Sequence, residues 1–139
     1  MTATAPSDEE IRKLLLSTKT IAIVGVSANT DRASYHVARY LQKNTQYELF
    51  FVNPAADEIL GQKVYKSLSE IEQEIDLVDV FRKPADCLAV LDEAIAIKAK
   101  SVWLQLGISV PEVKSVGEAA GLSVIMDRCI KIDHAHLLK

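Results

Sequence analysis

The sequence predicts an α/β fold, a doubly wound parallel sheet of five to six strands in a three-layer arrangement. Two observations predict it. Short apolar runs rich in β-branched residues, the pattern of strands buried on both faces, recur along the chain, and amphipathic helical stretches separate them. A length of 139 residues, 49% of them apolar, suits one sizeable core, so a single domain over 1–139 is expected, with 1–18 as a flanking helical segment.

Ser7 and Glu10 have capping-box spacing after Pro6, and Ile11, Leu14 and Leu15 share a helical face, which predicts a helix from about Asp8 to Ser17. Thr20 to Gly25 reads as the first buried strand. Val37, Ala38 and Leu41 mark a helix within Ser34 to Asn44, and Glu48 to Val52 is the second strand, stopped by Asn53-Pro54. Lys63-Val64-Tyr65 suggests a short edge strand, and Ser67 with Glu70 a brief capped helix. Leu77 to Phe81 is the next strand; Pro84 opens a helix whose inner face carries Leu88, Leu91 and Ile95. Ser101 to Leu106 is a strand ending in Gly107, and Ser109, Pro111 and Glu112 start a helix that Gly121 stops. Leu122 to Met126 is the last strand, followed by Asp127 to Lys131 and a polar tail in which His134 and His136 are expected to be exposed. Right-handed crossovers between these strands give a Rossmann-like sheet.

A formal net charge of -3 offers no global attraction to nucleic acid or anionic lipid. No apolar run approaches the roughly 20 residues of a membrane span, and Met1 to Ser7 lacks the parts of a secretory signal. The expectation is a soluble, cytoplasmic monomer or weak homodimer without nucleic-acid or membrane partners. Cys87 and Cys129 have no metal-ligand spacing and read as free thiols, and the three histidines form no zinc motif.

In such sheets ligands collect beyond the carboxyl ends of the strands, near the point where strand order reverses. Gly25, Val26 and Ser27 open a turn of small polar residues that runs through Arg32 to Ser34 and into a helix amino terminus, where backbone N–H groups and the helix dipole favour phosphate. Gly25 equally serves a plain tight turn, and Ser34 a plain helix cap. No second glycine follows before Gly61, so the dinucleotide fingerprint G-x-G-x-x-G is absent. The second strand ends in neutral Asn53 and Pro54, where an NAD site carries an acid for the ribose hydroxyls. A neutral end tolerates an adenosine with an extra phosphate, which suits coenzyme A better than NAD. Phe81, Arg82 and Lys83 end the strand expected beside the first, putting two cations and a ring opposite the Ser27 turn. Gln105, Gly107 and Cys129 lie on two further loops at the same edge, Cys129 reading as a small core residue or as a thiol facing the ligand.

Taken in order, Ile21 to Ser27, Asp31-Arg32, Ser34-Tyr35, Val37 to Leu41, Val52-Asn53-Pro54, Val78 to Arg82, Val102 to Gly107 and Met126 to Lys131 resemble the small stand-alone CoA-binding proteins. Their domain is similar to the CoA-binding domain of the succinyl-CoA synthetase alpha subunit. The resemblance implies a Rossmann-like domain that binds coenzyme A or an acyl-CoA. Val26, Ser27, Arg32 and Ser34 would form the phosphate loop, Asn53 and Pro54 the nucleotide wall, and Phe81, Arg82 and Lys83 the facing loop. Ala33 stands where relatives carry proline, which loosens the loop without removing a donor. The synthetase's phosphohistidine and nucleotide-grasping parts have no counterpart in this sequence, and no catalytic constellation can be named. The resemblance therefore implies a carrier, sensor or regulatory module without synthetase activity. An NAD(P)-linked oxidoreductase and a ligand-free interaction subunit are the alternatives.

Overall fold

In the computed structural model, which describes residues 5–138, helix α1 (Asp8–Ser17) starts on the expected capping box. Ser7 Oγ accepts from the Glu10 N–H and the Glu10 carboxylate accepts from the Ser7 N–H. The extreme ends of the expected 1–139 unit, and the first four residues of the opening segment, lie outside the described residues.

Strands β1 (Thr20–Val24), β2 (Glu48–Val52), β3 (Glu58–Ile59), β4 (Gln62–Tyr65), β5 (Leu77–Val80), β6 (Ser101–Leu104) and β7 (Ser123–Ile125) form one seven-stranded sheet in the order β3-β4-β2-β1-β5-β6-β7. All neighbouring pairs are parallel except β3–β4. Helices α2 (Ala33–Asn44), α3 (Pro84–Ala96), α4 (Pro111–Ala119) and α5 (Ile130–Leu138) complete the layers. The chain steps outward from β1 through β2 to β4 and then returns to β5 on the other side of β1, so strand order reverses beside β1.

Alternation along the strands splits the core in two. Ala22, Val24, Val78, Val80 and Leu104 face α3 and α4 with Cys87, Val90, Leu91 and Val113. Ile21, Ile23, Leu77 and Trp103 face α1, α2 and α5 with Ile11, Leu15, Val37, Leu41 and Ile130.

Four local expectations are corrected. Lys63 to Tyr65 is not the edge: β4 lies between β2 and an unexpected outer strand, β3. The two pair through a tight turn at Leu60 and Gly61, both at positive φ (51° and 75°), which matches the twist of a two-residue hairpin. The Ser67 helix is a single 3-10 turn (Leu68–Glu70) without a capping box, because the Glu70 carboxylate accepts from the Lys66 N–H instead. Ser109 does not cap α4, whose first flanking residue is Val110. The polar tail is helix α5, and His134 is buried there with Nδ1 3.0 Å from the Tyr40 hydroxyl. Asp133, also buried, accepts a two-pronged hydrogen bond from Arg128 at 2.7 and 2.9 Å.

Candidate functional site

The register sets the strand ends level with one another. Val24 pairs with Val52 on one side and Val80 on the other, and Val52 pairs with Tyr65. The first residues beyond the sheet are therefore Lys66, Asn53, Gly25 and Phe81, in that spatial order across β4, β2, β1 and β5.

Gly25 is the close-packed centre of this edge. Its φ is +88°, and a Cβ placed on it would run into the carbonyl oxygen of Phe81 and lie 3.1 Å from Arg82 Cδ. Only glycine allows both the left-handed turn and the approach of the β5 end. Arg82 thus lies against the first turn, beside the strand-order reversal. An open cleft of about 200 Å³ forms there, floored by Val24, Gly25 and Val52 and walled by Pro54, Lys66 and Arg82 among others. Asp86 and Glu93 of α3 also line it. Arg82 meets Asp86 at 3.6 Å, and Lys66 donates to Asp57 at 2.8 Å and to the Ala56 carbonyl at 2.9 Å. That hydrogen bond, with the ammonium charge, holds the Asp57 carboxyl below its ordinary range.

The turn after β1 folds on its own side chains. Ser27 N–H donates to Ser34 Oγ, Asn29 N–H to Ser27 Oγ, and Asp31 N–H to Asn29 Oδ1. Ser34 is thus no cap; it sits in the first turn of α2, buried, and orders the loop. Arg32 flanks the helix without a side-chain cap bond and is exposed. The N–H groups of Ala28, Thr30, Ala33 and Ser34 find no acceptor among the described residues, so this helix end presents donors suited to an oxyanion. Asn53 Nδ2 donates to the Val26 carbonyl at 2.8 Å, tying the β2 end to the loop, while the buried Val26 side chain packs in the core.

Other expected site residues are placed differently. Phe81 turns into the core on the α1, α2 and α5 face, so its ring is packed and its carbonyl is what meets Gly25. Lys83 is exposed at the start of α3 and does not line the cleft. Gln105 is buried and its Oε1 accepts from the Ile130 N–H, which starts α5. Gly107, at φ +88°, donates its N–H to Asp127 Oδ1 at 2.7 Å and joins the last two loops. Cys129 is half-buried and packs against the same core as Phe81.

Two features escaped the sequence reading. Lys66 enters the cleft only because β4 pairs with β2, a neighbour relation that no local pattern encodes. Asp79, in the middle of β5, is fully buried with neither carboxylate oxygen hydrogen-bonded among the described residues, and burial pushes its pKa well above the usual carboxylate range. Another cavity, of about 740 Å³, lies away from these loops, between α1 and α4 along the open edge of β7, and contains none of the expected residues.

The sequence profile of the CoA binding domain family matches residues 19–135. The chain belongs to the CoA binding domain family. It is 41% identical over 130 residues to the uncharacterised protein YneT of Bacillus subtilis (strain 168), covering 94% of this chain and 96% of that one. A hypothetical protein from Pyrococcus horikoshii OT3 has the same fold, with a TM-score of 0.92 at 36% identity over the full length of both chains. The ADP-forming acetate–CoA ligase of Methanocaldococcus jannaschii is 27% identical over 127 residues, and the match covers 86% of this chain but 18% of the ligase. The CoA binding domain family match spans the whole sheet, from before β1 into α5, with all four strand ends that surround the cleft. Among the described residues no group of acidic, histidine and cysteine side chains is arranged to hold a metal ion, and no helix is long and apolar enough to cross a membrane.

Proposed function

We propose that this chain binds coenzyme A or an acyl-CoA at the carboxyl edge of its sheet, as a cytoplasmic carrier, sensor or regulatory module without synthetase activity. The observation that carries the reading is the cleft at the strand-order reversal, where Arg82 lies against Gly25 within the matched family region. The α2 amino terminus supplies backbone donors for the pyrophosphate and Arg82 a planar charged fork. Asn53, neutral and bonded to the loop, leaves the ribose end free of an opposing carboxylate at the end of β2. The cleft is smaller than the roughly 300–1,000 Å³ of sites that enclose a whole drug-sized ligand. It therefore receives the nucleotide end, and the pantetheine arm runs outward along the sheet edge toward Gly107 and Cys129.

Isothermal titration of the purified protein with coenzyme A tests the proposal. Saturable one-to-one binding is expected, weakened at least tenfold by Arg82→Ala, the scale of a charge-assisted hydrogen bond to phosphate. Absence of heat and of any co-purifying ligand in non-denaturing mass spectrometry would remove it.

A further inference from the structure

Coenzyme A carries two phosphate groups on one ribose, the 5′-pyrophosphate and a 3′-monophosphate, and the cleft has one cation on each of two opposite walls. Arg82 follows β5, on the far side of β1 from β2; Lys66 follows β4, on the far side of β2 from β1. In sheets of this topology the pyrophosphate rests on the turn after the first strand, and the ribose hydroxyls lie over the end of the second. Groups that project beyond that ribose, away from the first strand, meet whatever ends the next strand outward. Here that strand is β4, and the residue at its end is Lys66.

We infer that Lys66 recognises the 3′-phosphate of coenzyme A and so makes this chain select the coenzyme over its dephosphorylated form. The inference rests on the proposed binding of coenzyme A at this cleft and assigns its nucleotide specificity. Lys66 is fixed for the task. Its N–H donates to Glu70, its ammonium is held by Asp57 and the Ala56 carbonyl, and Tyr65, just before it, accepts from the Asn53 N–H at 2.9 Å. The ammonium has three donors, and two are used, which leaves one for a phosphate oxygen. Asp57 offsets part of the charge and the side chain is 45% exposed, so solvent screening keeps the expected effect near the low end for a charge-assisted contact.

The experiment is a titration of the whole chain, wild type and Lys66→Met, with coenzyme A and with dephospho-coenzyme A. The wild type is expected to bind coenzyme A about tenfold more tightly than the dephosphorylated form. Lys66→Met is expected to lose that factor for coenzyme A, to bind dephospho-coenzyme A as the wild type does, and to unfold cooperatively with only the small loss of an exposed ion pair; Lys66→Arg is expected to keep the preference. Equal binding of both ligands by the wild type, or equal weakening of both by Lys66→Met, overturns the assignment of Lys66 and leaves coenzyme binding standing. Failure of the wild type to bind either ligand overturns both.

Discussion

Replacing Asp79 by asparagine should abolish one proton's worth of pH dependence in the stability of this protein. Asp79 sits in β5 between Ile23 and Trp103, is 0% exposed, and has no partner among the described residues for either oxygen. Burial alone raises its pKa, so the folded protein holds this carboxyl protonated where the unfolded chain ionises it. The sign follows. The folded state binds the extra proton, so stability is highest below the unfolded pKa of about 3.9 and falls as pH rises toward the raised folded value. The slope within that window is about 1.4 kcal/mol per pH unit. Asp57, lowered by the Lys66 hydrogen bond, has the opposite slope, as does Asp76, where burial is outweighed by the hydrogen bonds from the Lys19 and Thr20 N–H groups together with the Lys100 ammonium. Their stabilisation is present above the unfolded pKa and is lost only as pH falls through their folded values, below about pH 4. The readout is therefore the difference between wild type and variant in urea unfolding, followed by Trp103 fluorescence at pH 5, 6 and 7. An asparagine amide adds a constant offset of about 1–3 kcal/mol for its own unmet hydrogen bonds, which does not vary with pH. Parallel stability curves for wild type and Asp79→Asn would refute the argument.

Three further outcomes are expected. Gly25→Ala should cost about 3 kcal/mol in urea unfolding, since it combines a left-handed backbone with a collision at the Phe81 carbonyl; an unchanged midpoint would contradict the close approach of β1 and β5. Asp86→Asn should release Arg82 and raise affinity for coenzyme A about threefold by calorimetry, a small gain because the pair is solvent-exposed. Arg128→Met should leave the buried Asp133 carboxylate unpaired and lower stability by about 3 kcal/mol, with faster hydrogen exchange confined to α5 and its contacts with α1.

Local patterns carried most of the architecture. The Ser7–Glu10 box, the apolar runs at Ile21, Phe50, Val78 and Val102, and Pro84 at a helix start all operate within a few residues, so each is readable without knowing what packs against it. Helix α5 was hidden because its buried positions include Asp133 and His134, whose polarity resembles a solvated tail until Arg128 and Tyr40 are seen to satisfy them. Strand β3 was hidden by its length of two residues, which is too short for any alternation to register.

By itself, the order of residues determined the fold class, the run of strand and helix, and which loops gather at the carboxyl edge, because hydrophobic period, caps and crossover handedness are properties of short stretches. Only the tertiary structure decided how the residues of that edge divide their work. Arg82 reaches the cleft while Phe81 turns into the core, Ser34 braces a loop, Gln105 holds α5, and Lys66 arrives from a strand that local pattern placed at the sheet's margin. Strand pairing and the sidedness of each side chain bring together groups far apart in sequence, so a residue's role at the edge depends on neighbours that its own segment does not specify.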